Sequence, residues 1–243
     1  MATITDLDEP FEGTAAVELD TGNTKADNFA GGTSAASYFT ATHYVGSTSA
    51  EVNVNGTYRT MRFDLAAAAL IHFDIYIDVA TAPSATTGII QWYSGDTLKV
   101  GDVRLVYVTA TTFQFQLRDA STAKWSSSTL PVGQYRLAIK MQPNSSTGHS
   151  LSVYSGTNID TTPVETSGNQ IATTAGATTV SNVRIGVMGN VTAKLRYDGM
   201  TADDTSAVVR TSPSAVTTLP WKVRVSGAWV TPTTKTRVNG AWV

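Results

Sequence analysis

The sequence contains no cysteine and few charged residues. Without cysteine, the 243-residue chain forms neither disulfides nor thiolate metal sites. Charged residues make up 15% of the chain, which is below the roughly one quarter of an average domain. The formal net charge of −2 gives no field that would attract nucleic acid or an anionic membrane. Lysine and arginine are dispersed rather than gathered in a basic stripe, so we expect no nucleic-acid partner.

Long hydrophobic runs are absent as well. No stretch approaches the roughly 18 apolar residues that suggest a membrane-spanning helix, so we expect no membrane partner. The opening residues, MATITDLDEPFEG, carry acids where a secretory signal peptide carries bases, and they lack an apolar core. We therefore expect no signal peptide. A protein of this kind that works outside a cell would leave it by lysis or through a dedicated machine.

Several residue patterns of common active sites are missing. The three histidines, His43, His72 and His149, are scattered, and none has a second zinc ligand two or four residues away. There is no G-x-S-x-G nucleophile elbow and no phosphate-binding glycine loop. These absences argue against zinc chemistry, serine hydrolysis and nucleotide hydrolysis.

Alternation of apolar and polar residues is the dominant pattern that is present. In residues 69–79, ALIHFDIYIDV, the residues from Ile71 to Val79 alternate cleanly between two faces. This period of two predicts a half-buried antiparallel strand. Similar strands are predicted at 58–64, 88–93, 103–108, 112–117, 135–141, 150–154, 183–188 and 191–197.

The inward-facing side chains of these strands are readily nominated. Those that we expect in the core are Ile71, Phe73, Ile75, Ile77, Val79, Val103, Leu105, Tyr107, Phe113, Phe115, Leu117, Tyr135, Leu137, Ile139, Met141, Val183, Ile185 and Val187. Turn-forming clusters at 94–96, 143–148 and 188–190 separate the strands. No segment longer than about ten residues has a helical period. The sequence therefore predicts an all-β fold, an antiparallel β-sandwich of the jelly-roll type.

The composition of the sequence changes near residue 211. Residues 211–220, TSPSAVTTLP, contain two prolines and no charge, which is typical of an extended linker. Two similar nonapeptides follow, KVRVSGAWV at 222–230 and KTRVNGAWV at 235–243. We predict an N-terminal arm at 1–13, a sandwich at 14–210, a linker at 211–220 and a tandem tryptophan repeat at 221–243.

Each nonapeptide has the pattern of a miniature β-hairpin. A short valine-containing strand precedes Ser-Gly or Asn-Gly, and Asn-Gly is a strong two-residue turn signal. The predicted pairing brings Arg224 near Trp229 and Arg237 near Trp242, close enough for cation–π contact. Because isolated hairpins are marginal in water, we expect these four residues to dock on the sandwich, on each other or on a partner chain.

The order of the predicted strands resembles the concanavalin A-like superfamily of LamG-type jelly rolls. The resemblance covers about residues 10–210. The segments on which the resemblance rests are FEG at 11–13, IHFDIYIDV at 71–79, IIQWYSGD at 89–96, the aromatic meander at 103–125, YRLAIKM at 135–141 and the closing stretch at 183–204. This fold hosts lectins, glycosidases and structural modules, so the resemblance alone does not choose among them.

The C-terminal repeats resemble the ends of minor tail proteins of phages that infect actinobacteria. The resemblance rests on the short pattern K-V-x-V-x-G-x-W-x at the C-terminal end of the sequence. It implies a virion protein whose partners are other tail or capsid proteins.

The first family-implied activity is glycoside hydrolysis, which needs two carboxylates about 5–10 Å apart. The hydrolytic branch of the fold carries them as E-x-D-x-E on one strand. None of the five glutamates lies in such a pattern; they are Glu9, Glu12, Glu18, Glu51 and Glu165. Asp74 and Asp78 share a strand face but are separated by roughly 13 Å. We therefore predict a protein that is not an enzyme.

Carbohydrate binding is the second family-implied activity. A binding face would combine Asp74, Tyr76 and Asp78 with the aromatic rings of Trp92 and Trp125. The alternative is that the two aspartates lie on a solvated face and that the tryptophans belong to the core. Since Trp92 and Tyr93 point to opposite faces, one of them is expected to be buried.

Calcium is the third family-implied feature, because jelly rolls of this type bind it in loops at the sandwich rim. Asp198, Asp203 and Asp204 supply the oxygen ligands that a hard cation prefers. Their spacing matches no calcium motif, and a turn with aspartate capping is the alternative. We expect no other cofactor.

Taken together, the sequence predicts a non-enzymatic structural protein of a tailed-phage virion. We expect it to display a lectin-like sandwich that binds host-surface glycans, and to attach as a homo-oligomer through its repeats or its N-terminal arm. One alternative is a bacterial carbohydrate-binding module or adhesin. A second is a glycan-degrading enzyme, which the missing glutamate pair disfavours.

Overall fold

The computed structural model describes residues 7–9, 11–19, 21–31, 36–41, 44, 46–156, 162–204, 223–225, 228–230, 237–238 and 241–242. Within these ranges the chain forms β-strands and no helix. The predicted all-β class is confirmed. No helix with the length and apolar character to cross a bilayer occurs in this part of the chain.

Nineteen strands follow one another along the described residues. The first ten are β1 (Leu7–Glu9), β2 (Asn28–Gly31), β3 (Ala36–Phe39), β4 (Ser49–Ala68), β5 (Ile71–Thr81), β6 (Thr87–Ser94), β7 (Leu98–Thr109), β8 (Thr112–Asp119), β9 (Thr122–Ser126) and β10 (Leu130–Pro131). The others are β11 (Gly133–Met141), β12 (Ser145–Ser155), β13 (Glu165–Thr166), β14 (Gln170–Ala172), β15 (Val180–Asp203), β16 (Val223–Val225), β17 (Ala228–Val230), β18 (Arg237–Val238) and β19 (Ala241–Trp242).

The chain divides into two compact units, residues 1–209 and 210–243. Strands β1–β15 of the first unit form one hydrogen-bonded antiparallel sheet that curls into a sandwich. The predicted linker at 211–220 lies outside the described residues, as do residues 1–6 of the predicted arm.

The two layers of the sandwich share the long strands β4 and β15. In the first layer, residues 182–185 of β15 pair with β6 on one side, and residues 182–187 pair with β4 on the other. The layer continues through β7 and β8. In the second layer, residues 194–203 of β15 pair with β5, and the layer continues through β11 and β12. The edges are β2 in the first layer and β3 in the second, both paired with β4.

A strand as long as β15 must bend to remain within one domain. Its 24 residues would extend roughly 80 Å if straight, about twice the width of a domain of 200 residues. The register of β15 against β4 shifts between Val187 and Ala193, which is where the chain passes from one layer to the other. The turn predicted at 188–190 is therefore wrong, because the two predicted strands form one continuous, bent strand.

The core predictions are confirmed apart from Tyr107. Every other nominated residue is buried between the layers. Tyr107 is 43% exposed, because it lies beyond Leu105, the last residue of β7 that pairs with β6. The period of two predicts which side of β7 carries Tyr107, but β7 continues past the end of the core.

Trp92 connects the two layers through the core. It is fully buried on β6, and its ring meets the ring of His149 on β12 edge to face, with centroids 5.0 Å apart. Gly101 of the neighbouring β7 leaves room for the indole, since a Cβ there would lie 2.4 Å from Cζ2 of Trp92. The tryptophan is thus a packing residue, and Tyr93 is the member of the pair that faces outward.

A buried polar group accompanies this contact. His149 Nδ1 accepts the Gln142 N–H at 3.2 Å, and its Nε2 lies 3.7 Å from Asp119 Oδ1. Asp119 also accepts the Thr173 N–H at 2.8 Å and the Thr174 hydroxyl at 2.7 Å. Burial lowers the pKa of His149 to about 4, and the attraction of Asp119 offsets this in part.

In the second unit, the backbone forms the two predicted hairpins. Strands β16 and β17 pair with Arg224 opposite Trp229, and β18 and β19 pair with Arg237 opposite Trp242. The same register therefore occurs in both copies. The side chains of these four residues and the turns at 226–227 and 239–240 lie outside the described part of the chain.

We predict that the stability of the sandwich falls as the pH drops from about 6.5 to about 4. In this window the unfolded His149 binds a proton that the native, buried His149 does not. The unfolded state is therefore favoured as the pH falls, by up to about 3 kcal/mol across the window. Urea unfolding at several pH values measures this dependence.

Two glutamine variants serve as controls for this prediction. His149→Gln should show a much weaker pH dependence, whereas His72→Gln, which changes a more exposed histidine, should resemble the wild type. Equal pH slopes in His149→Gln and the wild type would contradict the assignment.

Candidate functional site

The outer face of the second layer gathers most of the residues that the sequence nominated. Asp74, Tyr76 and Asp78 occupy alternate positions of β5 on the side away from the core. In the ladder with β15, Asp198 lies opposite Tyr76, and Asp203 lies opposite His72. The two neighbours of β5, strands β15 and β11, therefore both contribute side chains to this outer surface, which we call the polar face.

The expectation that Asp74 and Asp78 lie on a solvated surface is wrong. Asp74 is 1% exposed and Asp78 is 6% exposed. Arg136 of β11 lies over Asp74, with its Nε and Nη2 each 2.9 Å from Oδ2. Although burial lowers it, the hydrogen bond and attraction of Asp74 raise the pKa of Arg136 above its usual value. Asp74 thus belongs to a buried, charge-assisted pair.

A second arginine, Arg196, pairs with Asp78 near the C-terminal end of β5. Arg196 of β15 donates to Asp78 Oδ2 at 2.6 Å and to Glu51 Oε2 at 2.8 Å. Its Cζ lies 4.1 Å from the centroid of the Phe39 ring on the edge strand β3. One arginine therefore joins two carboxylates and an aromatic ring across four strands.

Between the two arginines lies a stacked pair of tyrosines. The rings of Tyr44 and Tyr76 are nearly parallel, with centroids 4.5 Å apart. The Tyr44 N–H donates to the Asp198 carboxylate, which anchors this residue of the β3–β4 connection over the sheet. Burial, and then the negative charges of Asp78 and Asp198, raise the pKa of Tyr44. Its hydroxyl therefore stays protonated at neutral pH.

The accessible part of the polar face adjoins these buried groups. Tyr154 of β12 is half-buried, and the Arg136 guanidinium lies 4.7 Å from its ring centroid. His72 and Lys140 are paired in register and are also partly exposed. The face therefore presents an aromatic ring, a cation and an imidazole beside a set of buried ion pairs.

The predicted calcium ligands do not form a site. Asp198 and Asp203 belong to β15 rather than to a loop, and they lie opposite Tyr76 and His72 of β5. Among the residues that the structure describes, no three histidine or acidic side chains group closely enough to hold a metal ion. Asp204 follows the end of the strand and does not complete a cluster.

The two tryptophans predicted for sugar binding lie in different surroundings. Trp92 is fully buried and offers no exposed ring, which corrects that part of the prediction. Trp125 on β9 is partly buried and packs against the apolar core, opposite Leu117 in the ladder. Both belong to the first layer, so neither joins the polar face.

Sequence reasoning missed the arginines and tyrosines that complete the polar face. Alternation in residues 135–141 does place Arg136 on the outward side, but only the register with β5 brings it to Asp74 and Tyr76. Tyr44 precedes β4 in an irregular segment with no periodic signal. Its position depends on a contact with Asp198, 154 residues away in the chain.

The buried ion pairs give this face fixed chemical groups. The partly exposed side chains beside them, Tyr154, His72 and Lys140, lie on this fixed framework. A ligand that meets groups already held in place binds without a large ordering cost. Asp74 and Asp78 are both engaged by arginines. Neither carboxylate is therefore free of a cationic partner.

Comparison with known proteins identifies the fold alone. No family model matches the sequence, and no match was found among curated proteins. The cellulose-induced protein Cip1 matches with a TM-score of 0.50 and 12% identity over 85% of this chain and 100% of that chain. An alginate lyase from Aplysia kurodai matches with a TM-score of 0.53 and 6% identity over 79% of this chain and 100% of that chain.

A carbohydrate esterase from the Shiga toxin-encoding bacteriophage phi24B is also similar. Its TM-score is 0.50 at 10% identity, over 73% of this chain and 90% of that chain. With the strand topology, these likenesses support the predicted concanavalin-like β-sandwich. At such identities they show the fold and do not establish the activity of this chain.

We predict that Asp74→Asn destabilises the sandwich by about 3 kcal/mol or more, because it leaves the Arg136 guanidinium buried beside a neutral amide. Asp78→Asn should cost less, since Arg196 retains Glu51.

Asp64→Asn is the matched control, because its carboxylate is more exposed and its partner Arg62 also pairs with Asp96. It should lower the free energy of unfolding by less than about 1 kcal/mol. Urea unfolding at pH 7 measures all three, and equal effects of Asp74→Asn and Asp64→Asn would refute the buried-pair description.

Proposed function

We propose that this protein is a carbohydrate-binding β-sandwich whose polar face contacts a glycan. The observation that carries the proposal is the array of buried ion pairs, Arg136–Asp74 and Arg196–Asp78, which holds polar groups beside the ring of Tyr154. Sugars present hydroxyl groups that both donate and accept hydrogen bonds, and they stack their apolar faces on aromatic rings. A rigid face with both kinds of partner is complementary to them.

The similar structures support the same class of ligand. The descriptions of Cip1, the alginate lyase and the phage esterase refer to cellulose, alginate and carbohydrate esters respectively. Two of the three, the alginate lyase and the carbohydrate esterase, are named for an activity on carbohydrates. This support is by analogy of fold, and the ligand of this chain rests on its own polar face.

Binding without catalysis is the form of this proposal that the side chains favour. A tyrosine that acts as a base needs a lowered pKa, whereas the pKa of Tyr44 is raised. The carboxylates of Asp74 and Asp78 are engaged by arginines. A glycan-degrading enzyme remains the alternative that an activity assay would identify.

We further propose that the protein is a virion component of a tailed phage and that its repeats attach it to other virion proteins. Each hairpin has strands of two or three residues, which are too short to bury a core of their own. The repeated register of arginine opposite tryptophan suits two equivalent contacts. The resemblance to LamG-type domains and to phage tail proteins stays a prediction, as does homo-oligomer formation.

A glycan array with the full chain tests the first proposal. We expect binding to at least one oligosaccharide and a loss of about tenfold in affinity when Tyr154→Ala removes the aromatic ring from the polar face. Tyr107→Ala is the control, because Tyr107 is an exposed tyrosine of the other layer. Absence of binding at millimolar oligosaccharide, or equal losses in the two variants, would contradict the assignment.

Deletion of residues 221–243 tests the attachment proposal. We expect the truncated protein to retain glycan binding and to be lost from assembled particles, because the repeats lie in a separate compact unit. Quantitative immunoblotting of purified particles measures incorporation. Normal incorporation of the truncated protein would show that the repeats are not the attachment element.

A further inference from the structure

A pocket of about 490 Å³ opens at the rim of the sandwich, beside the edge strand β2. The lining residues are Glu18, Leu19, Thr21, Asp27, Asn28, Phe29 and Arg59, so the pocket shares no lining residue with the polar face. Its volume falls within the roughly 300–1,000 Å³ of small-molecule sites.

Arg59 occupies a position where an apolar residue would be expected. It lies on the same side of β4 as Met61 and Phe63, which belong to the core, and it is 7% exposed. Removing a guanidinium from water is costly, and an apolar side chain of similar volume is often as stable or more stable. A buried arginine at the rim of the core therefore points to a role other than stability.

The fold holds this arginine in a defined position. Gly31 of β2 lies opposite Arg59 in the sheet and has a positive φ. On the other side of β4, a Cβ on Gly186 of β15, which pairs with Thr60, would lie 2.1 Å from the Arg59 carbonyl oxygen. A Cβ on Gly31 would lie 1.9 Å from the Tyr58 carbonyl oxygen, so the close approach of β2 requires glycine. The Arg59 Cζ lies 5.2 Å from the centroid of the Phe29 ring, which also lines the pocket.

Acidic and amide groups complete the pocket. Glu18 Oε1 lies 3.4 Å from Arg59 Nη2, and the Glu18 side chain is 48% exposed. Asp27 is fixed because its Oδ2 accepts the Asp64 N–H at 2.7 Å. Asn28, which is exposed, adds an amide with both a donor and an acceptor.

The charges of these groups select the chemistry of a ligand. One guanidinium faces two carboxylates, so an anionic ligand would compete with Glu18 for Arg59 and would also meet Asp27. Hydroxyl groups, in contrast, donate to carboxylates and accept from a guanidinium or an amide. We propose that this rim pocket binds one neutral sugar residue, separately from any glycan on the polar face.

Titration of the full chain with methyl glycosides tests the inference. The probes are the neutral methyl glucoside, galactoside and mannoside, and methyl glucuronide as the anionic comparison, followed by isothermal calorimetry and by ¹H–¹⁵N NMR. We expect millimolar or tighter binding of at least one neutral glycoside, shifts centred on residues 18–29, and at least about tenfold weaker binding of the glucuronide. Preference for the glucuronide, shifts confined to the polar face, or no binding at all would overturn it.

Variants separate this pocket from the polar face. Arg59→Met keeps the volume of the buried side chain, whereas Asp27→Asn and Glu18→Gln change exposed carboxylates. Each substitution should lower the affinity for the neutral glycoside by about tenfold. Arg62→Gln, an outward arginine on the same strand, is the control and should have no effect. If Tyr154→Ala abolishes glycoside binding while Asp27→Asn and Glu18→Gln leave it unchanged, the rim pocket is wrong and the proposed function stands. The opposite pattern supports the pocket, and the polar face is then tested separately by the glycan array.

Discussion

The sandwich depends on the bending of two strands that belong to both of its layers. Strands β4 and β15 are too long to cross a domain of this size straight, so each begins in one layer and ends in the other. Next to the register shift in β15 the two backbones approach closely, since a Cβ on Gly186 would lie 2.1 Å from the Arg59 carbonyl oxygen. Because both layers pair with the same two strands, their relative position is set by hydrogen bonds as well as by apolar packing.

This arrangement also explains where the polar side chains are found. The second half of β15 places Arg196 and Asp198 next to β5, and β11 on the other side contributes Arg136. The charges on the outward side of β5 are therefore covered by their neighbours rather than by water. Buried pairs of this kind add little net stability, and breaking one leaves a desolvated charge. Their value lies in a fixed geometry, which a binding face requires.

Two surfaces of different character result from the same pair of strands. The polar face lies on the outside of the second layer and is built from paired charges and tyrosines. The rim pocket lies where β4 leaves the core, and Arg59 is its buried cation. The proposed ligands differ accordingly, a glycan on the broad face and a single sugar residue in the pocket. The two hairpins belong to a separate compact unit, and their strands are too short to bury a core.

The sequence by itself determined the fold class, which side of each strand faces the core, and the hairpin repeats. Alternation is a local property, so it placed Ile75 inward and Asp74 outward without further information. Burial and pairing depend instead on which strands become neighbours, and the register of β5 with β11 and β15 is a long-range property. For that reason the tertiary structure alone decided that Asp74 is buried against Arg136, that Trp92 belongs to the core, and that the Asp198 carboxylate accepts the Tyr44 N–H.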